Sequence, residues 1–221
     1  MKYVAVVLLA VLLACGQPGR QPDAIPASDT ISARPDTATG SVPAHTSHPV
    51  PLDTNNASLL RLAEKILGAI KQRNFEAFSS FVHPVAGVRF SPYAYIDTTR
   101  AKLLSAAQVL ALARQNKIVT WGSYDASGEP IRMSIRKYVD RFVYDADFLH
   151  AKKKRVNEFV GYGNSLNNLK EVYPACDFVE FYFSGFDPHN DGMDWKTLRL
   201  VFRTGNGQPW LVAVVHDEWT I

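Results

Sequence analysis

The chain has 221 residues, 24 Lys and Arg against 21 Asp and Glu, a formal net charge of +3, and 47% hydrophobic residues. So small a charge excess leaves no electrostatic footprint for nucleic acid, whose binding needs a surface far from charge balance. With only two cysteines, a framework of several disulfides is excluded.

Met1 to Ala14 reads as a signal peptide. Lys2 is a minimal charged region, and Tyr3 to Leu13 is an apolar run of eleven residues. That is too short for a bilayer span, which needs about twenty. Leu12-Leu13-Ala14-Cys15 resembles the bacterial lipobox, with Leu13 a less usual residue at its position. The resemblance implies that Cys15 becomes the lipidated first residue of the mature chain. Several acyl chains, at about 0.8 kcal/mol per buried methylene, would hold it to a membrane stably. Gly16 follows the cysteine where an inner-membrane retention signal would have aspartate, so the expected destination is the outer membrane. Cys176 is then left without a partner and is expected to be a small buried hydrophobe.

Residues 15–56 read as a disordered tether. Seven of the thirteen prolines fall there (Pro18, Pro22, Pro26, Pro35, Pro43, Pro49, Pro51), with almost no large apolar residue. Such a segment buries too little surface to fold by itself. A flexible chain of this length spans roughly 35 Å, so the domain would stand clear of the lipid.

Residues 57–221 are expected to form one globular domain. Leu59, Leu62, Ala63, Ile66, Leu67 and Ile70 make one apolar stripe of a helix. Phe75, Phe78 and Phe81 suit one face of a second, short helix that ends before Pro84. Val88 and Phe90 alternate with Arg89 and Ser91 as in a half-buried strand, and Pro92 suggests an edge strand or a bulge. Ser105 with Gln108 resembles a capping box ahead of a third helix, and Ser134 is placed to cap a fourth. Ile118 to Trp121 is a short apolar run, residues 124–130 read as a turn-rich loop, and Lys152 to Arg155 reads as a solvated charge run. The alternation in residues 178–183, 198–203 and 210–216 predicts three strands, the last two joined by the Gly-rich turn Thr204 to Pro209. On that alternation Trp210, Val212, Val214 and His216 share a face. Helices first and strands later make an α+β fold, with N-terminal helices packed on a curved antiparallel sheet.

The usual catalytic motifs fail. Gly161-Tyr162-Gly163 opens a dinucleotide-like pattern, but Leu166 stands where the third glycine belongs. There is no phosphate loop, zinc-protease helix pair or hydrolase elbow, and no cofactor is expected. Asp187, Asp191 and Asp194 are weak metal candidates, because Leu198 occupies the position where a calcium loop needs a bidentate Glu. His83, His150, His216 and the acids Asp145, Asp147, Asp217 and Glu218 are candidate acid and base groups if some converge in one cleft, with His83, Asp145, His216 and Asp217 the catalytic candidates among them. The candidate pocket comprises His83, Arg89, Tyr93, Tyr95, Trp121, Asp145 and His216, with Tyr124, Phe186, Trp195 and Trp219 as further wall candidates.

Several runs carry a resemblance. They are His83-Pro84, Gly87 to Tyr93, Trp121-Gly122, Asp125, Ser127 to Pro130, Arg141 to Asp145, Asp147-Phe148, Phe183 to Pro188, Met193 to Trp195 and His216 to Ile221. Together they look like a family of bacterial lipoproteins and exported proteins, a resemblance that covers most of residues 60–221 and implies no activity. More loosely, the paired helices, His83-Pro84 and the closing long strands are similar to the cystatin-like cone fold of nuclear transport factor 2 relatives. Against that fold, Gly122 to Pro174 is a long insert. The expectation is a lipid-anchored cell-envelope protein whose domain binds a small ligand in an aromatic-lined pocket without turnover. Two alternatives stay open. One is a cone-fold enzyme using a His/Asp pair, with Arg89 or Tyr93 stabilising negative charge; the other is an interaction module for an envelope partner.

Overall fold

A computed structural model describes residues 54–161, 163 and 166–220, so the signal-peptide and Cys15 expectations, and the tether apart from its last three residues, lie outside the described residues. The apolar stripe builds α1 (Thr54–Lys71), which starts three residues ahead of the expected domain boundary. It buries Leu59, Ala63, Ile66, Leu67 and Ile70. The Asn74 side chain caps α2 (Phe75–Ser79) by accepting the Ala77 N–H, and Phe75 and Phe78 turn inward. The chain then enters β1 (Val88–Ser91) and β2 (Lys102–Leu104). The capping box forms as the spacing predicts: Ser105 accepts the Gln108 N–H and Gln108 accepts the Ser105 N–H, at the start of α3 (Ala106–Gln115).

The run at Ile118 extends into β3 (Ile118–Ser123), which pairs with β4 (Pro130–Ser134) as a separate two-stranded sheet. Ser134 takes the N-cap position of α4 (Ile135–Phe142), but its side chain makes no capping hydrogen bond. The lysine-rich run is not a loop. It is β5 (Lys153–Val156), an outer strand whose Lys154 reaches back to Glu64 at 2.7 Å. After α5 (Leu169–Val172) come β6 (Asp177–Phe183), β7 (Lys196–Gly205) and β8 (Gln208–Glu218).

The six-stranded sheet runs β2-β1-β8-β7-β6-β5 and is antiparallel except for β1 against β8, which are parallel. This is an α+β fold, with helices ahead of and packed on a mostly antiparallel sheet, as the cone expectation requires. β1 lies between β2 and β8, so it is not an edge strand; Pro92 simply follows its last residue. One sheet face carries Val179, Phe181, Leu198, Leu200 and Val214 against α1–α4. The other carries Phe178, Val201, Ala213 and Val215 beneath Phe159, Leu169 and Tyr173.

A bulge decides which residues share a face. Between Phe202↔Leu211 and Val201↔Ala213 the β7/β8 register shifts, leaving Val212 as the extra residue. A single inserted residue inverts the inside-outside phase of everything beyond it. Leu211 and Val214 therefore both meet the helices, while Val212 joins the opposite face. The expectation that Val212 shares the His216 face is corrected by that insertion.

Gly87 fixes where β1 begins. Its φ is +69°, and an added Cβ would stand 2.6 Å from the Leu104 carbonyl oxygen of β2. Gly87→Ala is expected to cost about 2 kcal/mol through left-handed strain and that collision, read as a lower urea midpoint. An unchanged midpoint would mean that the turn can shift away from β2.

Candidate functional site

Beyond the bulge, period-two alternation puts His216 and Glu218 on the helix-covered face of β8. The register sets Lys196 of β7 directly opposite Glu218. Just past α4 the chain presents Asp145, and from α4 itself Arg141 reaches down. Lys196 bridges the two carboxylates, with Nζ bonded to Asp145 Oδ2 and 3.5 Å from Glu218 Oε2. Arg141 Nη2 donates to Glu218 Oε1 at 2.6 Å. His216 Nε2 lies 3.3 Å from Asp145 Oδ1, and His216 Nδ1 lies 3.2 Å from the Pro92 carbonyl oxygen.

The cluster is sheltered. The His216 side chain is 0% exposed, Asp145 8% and Glu218 14%, while Arg141 at 46% forms the wet rim. Burial alone would raise the Asp145 carboxyl pKa, but the His216 ring, whenever it is protonated, and the Lys196 ammonium overcome it and hold the group down at about 2. Beside the cluster, Phe142 sets its ring edge-on to both His216 and Tyr93, at 6.0 Å in each case. Burial pushes the Tyr93 phenol up, against an opposing hydrogen bond with the Asp125 backbone.

A cavity of about 210 Å³ opens next to this cluster, lined by Pro92, Tyr93, Tyr95, Tyr124, Asp97, Arg100 and Asp125 among others. Tyr95 and Tyr124 keep much of their surface outside the core. Pro92 stands between the two features. It lines the cavity, while its carbonyl faces His216.

The structure therefore divides the expected pocket. Asp145 and His216 come together, and Tyr93 and Tyr95 line the cavity. His83 does neither: its Nδ1 accepts the Val85 and Ala86 N–H groups in its own turn. Its backbone is bonded to Leu211, five residues before His216 and so roughly 15 Å down the strand. Arg89 points to the opposite face from Phe90, where it donates to the Thr98 and Ala101 carbonyls. Trp121 is 0% exposed and stacked on Tyr138, so it is core and not wall. Asp217 alternates away from His216 to the far face, where it pairs with Arg199 at 3.1 Å.

The weak metal candidates Asp187, Asp191 and Asp194 do not gather into one site: among the described residues they offer no converging set of donor atoms. Asp187 Oδ1 accepts the His189 N–H, and Asp194 Oδ2 accepts from Asp187 N and Asn190 Nδ2. Cys176 is half-buried against Tyr173 and its neighbours on the far face. Among the wall candidates, Trp195 is buried, while Phe186 and Trp219 are exposed away from the cavity. The sequence reading named Glu218 among its candidate acids but gave no site role to Lys196 or Arg141, which complete the cluster. Glu218 lies two residues past the predicted strand 210–216, and the structure carries β8 on to it in the phase of His216.

Fold and site together define an α+β domain in which a tyrosine-walled cavity abuts a sheltered Asp-His-Glu-Lys-Arg cluster. No family model and no curated protein matches the chain. Among solved structures, that of Aln2 from a Streptomyces species is similar over 77% of this chain and 93% of its own, at 11% identity and a TM-score of 0.32. A likeness of that degree carries no argument about function.

Proposed function

We propose that this chain is a lipid-anchored cell-envelope protein whose domain binds a small polar ligand in the tyrosine-walled cavity without turning it over. The observation that carries the reading is the cavity itself: Tyr93, Tyr95 and Tyr124 surround a volume of about 210 Å³ edged by Asp97, Arg100 and Asp125. Aromatic faces with a few charged groups are what a concave site for a small ligand needs. Anchoring through Cys15 would place that cavity in the envelope, with the membrane as its partner through the lipid.

The enzyme alternative keeps one favourable observation, the Asp145–His216 approach of 3.3 Å. Against it, His216 has no exposed surface and does not line the cavity. A base has to reach the proton that it removes.

Thermal-shift titration of the full chain against sugars, sugar acids and envelope lipids is the test. The reading expects a saturable stabilisation by at least one class, weakened tenfold or more by Tyr124→Ala. Because Tyr124 is 36% exposed and meets the core through the Phe142 ring, that substitution should lower the unliganded melting temperature by only a few degrees. No shift with any class would remove the reading.

A further inference from the structure

We propose that His216 Nε2, Asp145 Oδ1 and a carboxylate oxygen of Glu218 form a binding site for a divalent first-row transition-metal ion, with zinc as the model occupant. The inference does not rest on the cavity reading. It starts from two buried atoms, His216 Nε2 and Asp145 Oδ1, that have no hydrogen-bond partner among the described residues. An unpaired buried polar atom costs on the order of 1–3 kcal/mol, so two facing each other need a cause.

The tautomer sharpens the problem. The Pro92 carbonyl oxygen has no proton to give, so the His216 ring donates to it from Nδ1 across 3.2 Å. In the neutral ring, Nε2 then carries a lone pair. That lone pair stands 3.3 Å from a carboxylate oxygen that also offers lone pairs. The two atoms are close enough for a hydrogen bond but are not aligned as one. Two acceptors tolerate such a distance when a cation lies off the line between them and receives both.

The dimensions fit a metal. Zinc ligand bonds of about 2.0–2.1 Å at tetrahedral angles put neighbouring donor atoms about 3.3–3.4 Å apart. One donor atom each from Asp145, His216 and Glu218 lies within 4.8 Å of the others, so the third ligand needs only a small side-chain adjustment. A backbone carbonyl holding the far ring nitrogen is the support that a metal-ligating imidazole ordinarily has. Imidazole with two carboxylates favours zinc, cobalt or manganese over the all-oxygen shells of calcium and magnesium. Entry is from the rim, where Glu218 and Arg141 keep some exposure.

Lys196 is the competitor. It holds Asp145 Oδ2, the oxygen that the metal does not use, and it also stands 3.5 Å from Glu218 Oε2. Its charge opposes a second cation, so removing it should tighten the site. A merely structural ion-pair cluster predicts no such gain.

The test is titration of the full-length protein with Co²⁺, followed by its visible absorption, and with Zn²⁺ by calorimetry. One ion per chain is expected, with a rise in melting temperature on Zn²⁺ addition. His216→Gln should weaken binding at least 100-fold and Glu218→Gln roughly 10- to 100-fold, while Lys196→Met should tighten it roughly tenfold. His150→Gln/His189→Gln should change nothing, which separates the site from exposed histidines. If His216→Gln fails to fold by circular dichroism, Glu218→Gln and Lys196→Met still read the same site in opposite directions. Absence of one-to-one binding, retention of binding in Glu218→Gln, or no tightening in Lys196→Met would overturn the proposal. A proton in place of the metal would give the first of these results.

Discussion

Arg199→Ala is expected to cost about 3–5 kcal/mol, enough to unfold a domain of ordinary stability under mild conditions. Arg199 is 0% exposed, and so is the Glu180 side chain that its Nε meets at 2.7 Å. Its Nη1 meets Asp217 at 3.1 Å, and its Nη2 donates to the Gly161 carbonyl at 3.2 Å. Glu180 Oε1 in turn accepts the backbone N–H groups of Val160 and Gly161, each at 2.7 Å. The triad therefore pins the 157–161 segment over the sheet as well as joining β6, β7 and β8. Truncating Arg199 leaves two carboxylates in a dry place with no cation.

The acid response of that variant has a definite sign. Burial already raises the Asp217 carboxyl pKa, with Arg199 pulling it back down. Without Arg199 the raised value climbs further. A carboxyl with a raised folded pKa binds its proton more readily in the native state, so stability increases as pH falls through that value. Arg199→Ala should thus recover part of its loss between pH 7 and 5, measured as a rising urea midpoint. A loss below about 1 kcal/mol at pH 7, or a midpoint that falls with acid, would show that water reaches the triad.

The same triad marks where sequence reading stops. Alternation in Leu198, Leu200 and Phe202 gave the helix-covered face correctly, because one apolar residue in two is a local signal. It also assigned Arg199 to the other face, but a charged residue there reads as solvated, and nothing within the strand reports a cover arriving from residues 157–161. Lys154 misled in the same way. A strand of lysines pairs with β6 because β6 offers an open edge, which is a long-range fact. The separation of His216 from Asp217 was legible from alternation alone. The union of His216 with Asp145 was not, since 70 residues lie between them.

The bulge is the subtlest loss. A hairpin extended in the register of Gly205↔Gln208 would have set Lys196 against Asp217. The extra residue at Val212 makes Glu218 the partner instead, and so turns His216 and Glu218 to the helix-covered face of Lys196 and Asp217 to the face of Arg199. A single inserted residue thus decides which β8 side chains serve each of two ionic sites on opposite faces of one sheet. No pattern in the sequence around Val212 announces it.

Trp121→Ala is expected to cost about 3–5 kcal/mol, against about 1 kcal/mol for the partly exposed Tyr124→Ala three residues on. Both were sequence candidates for a pocket wall, and burial separates them. Trp121 stacks on Tyr138 at 4.2 Å between ring centres and meets Phe90 edge-on at 5.5 Å. Its Nε1–H donates to the Met133 carbonyl at 2.9 Å, tying β3 to β4. Truncation removes a full indole from a packed interior and leaves that carbonyl without its donor. The loss should divide: Trp121→Phe keeps much of the stacking but not the hydrogen bond, and should cost about 1–3 kcal/mol. The rings continue from Tyr138 to Phe142 at 5.2 Å, and Phe142 borders both Tyr93 and His216. Loosening at Trp121 should therefore reach the seat of the cluster as well as the hairpin. Urea midpoints of the three variants decide the matter. If Trp121→Ala costs under about 1 kcal/mol, the β3/β4 hairpin is not held to the core as this packing requires.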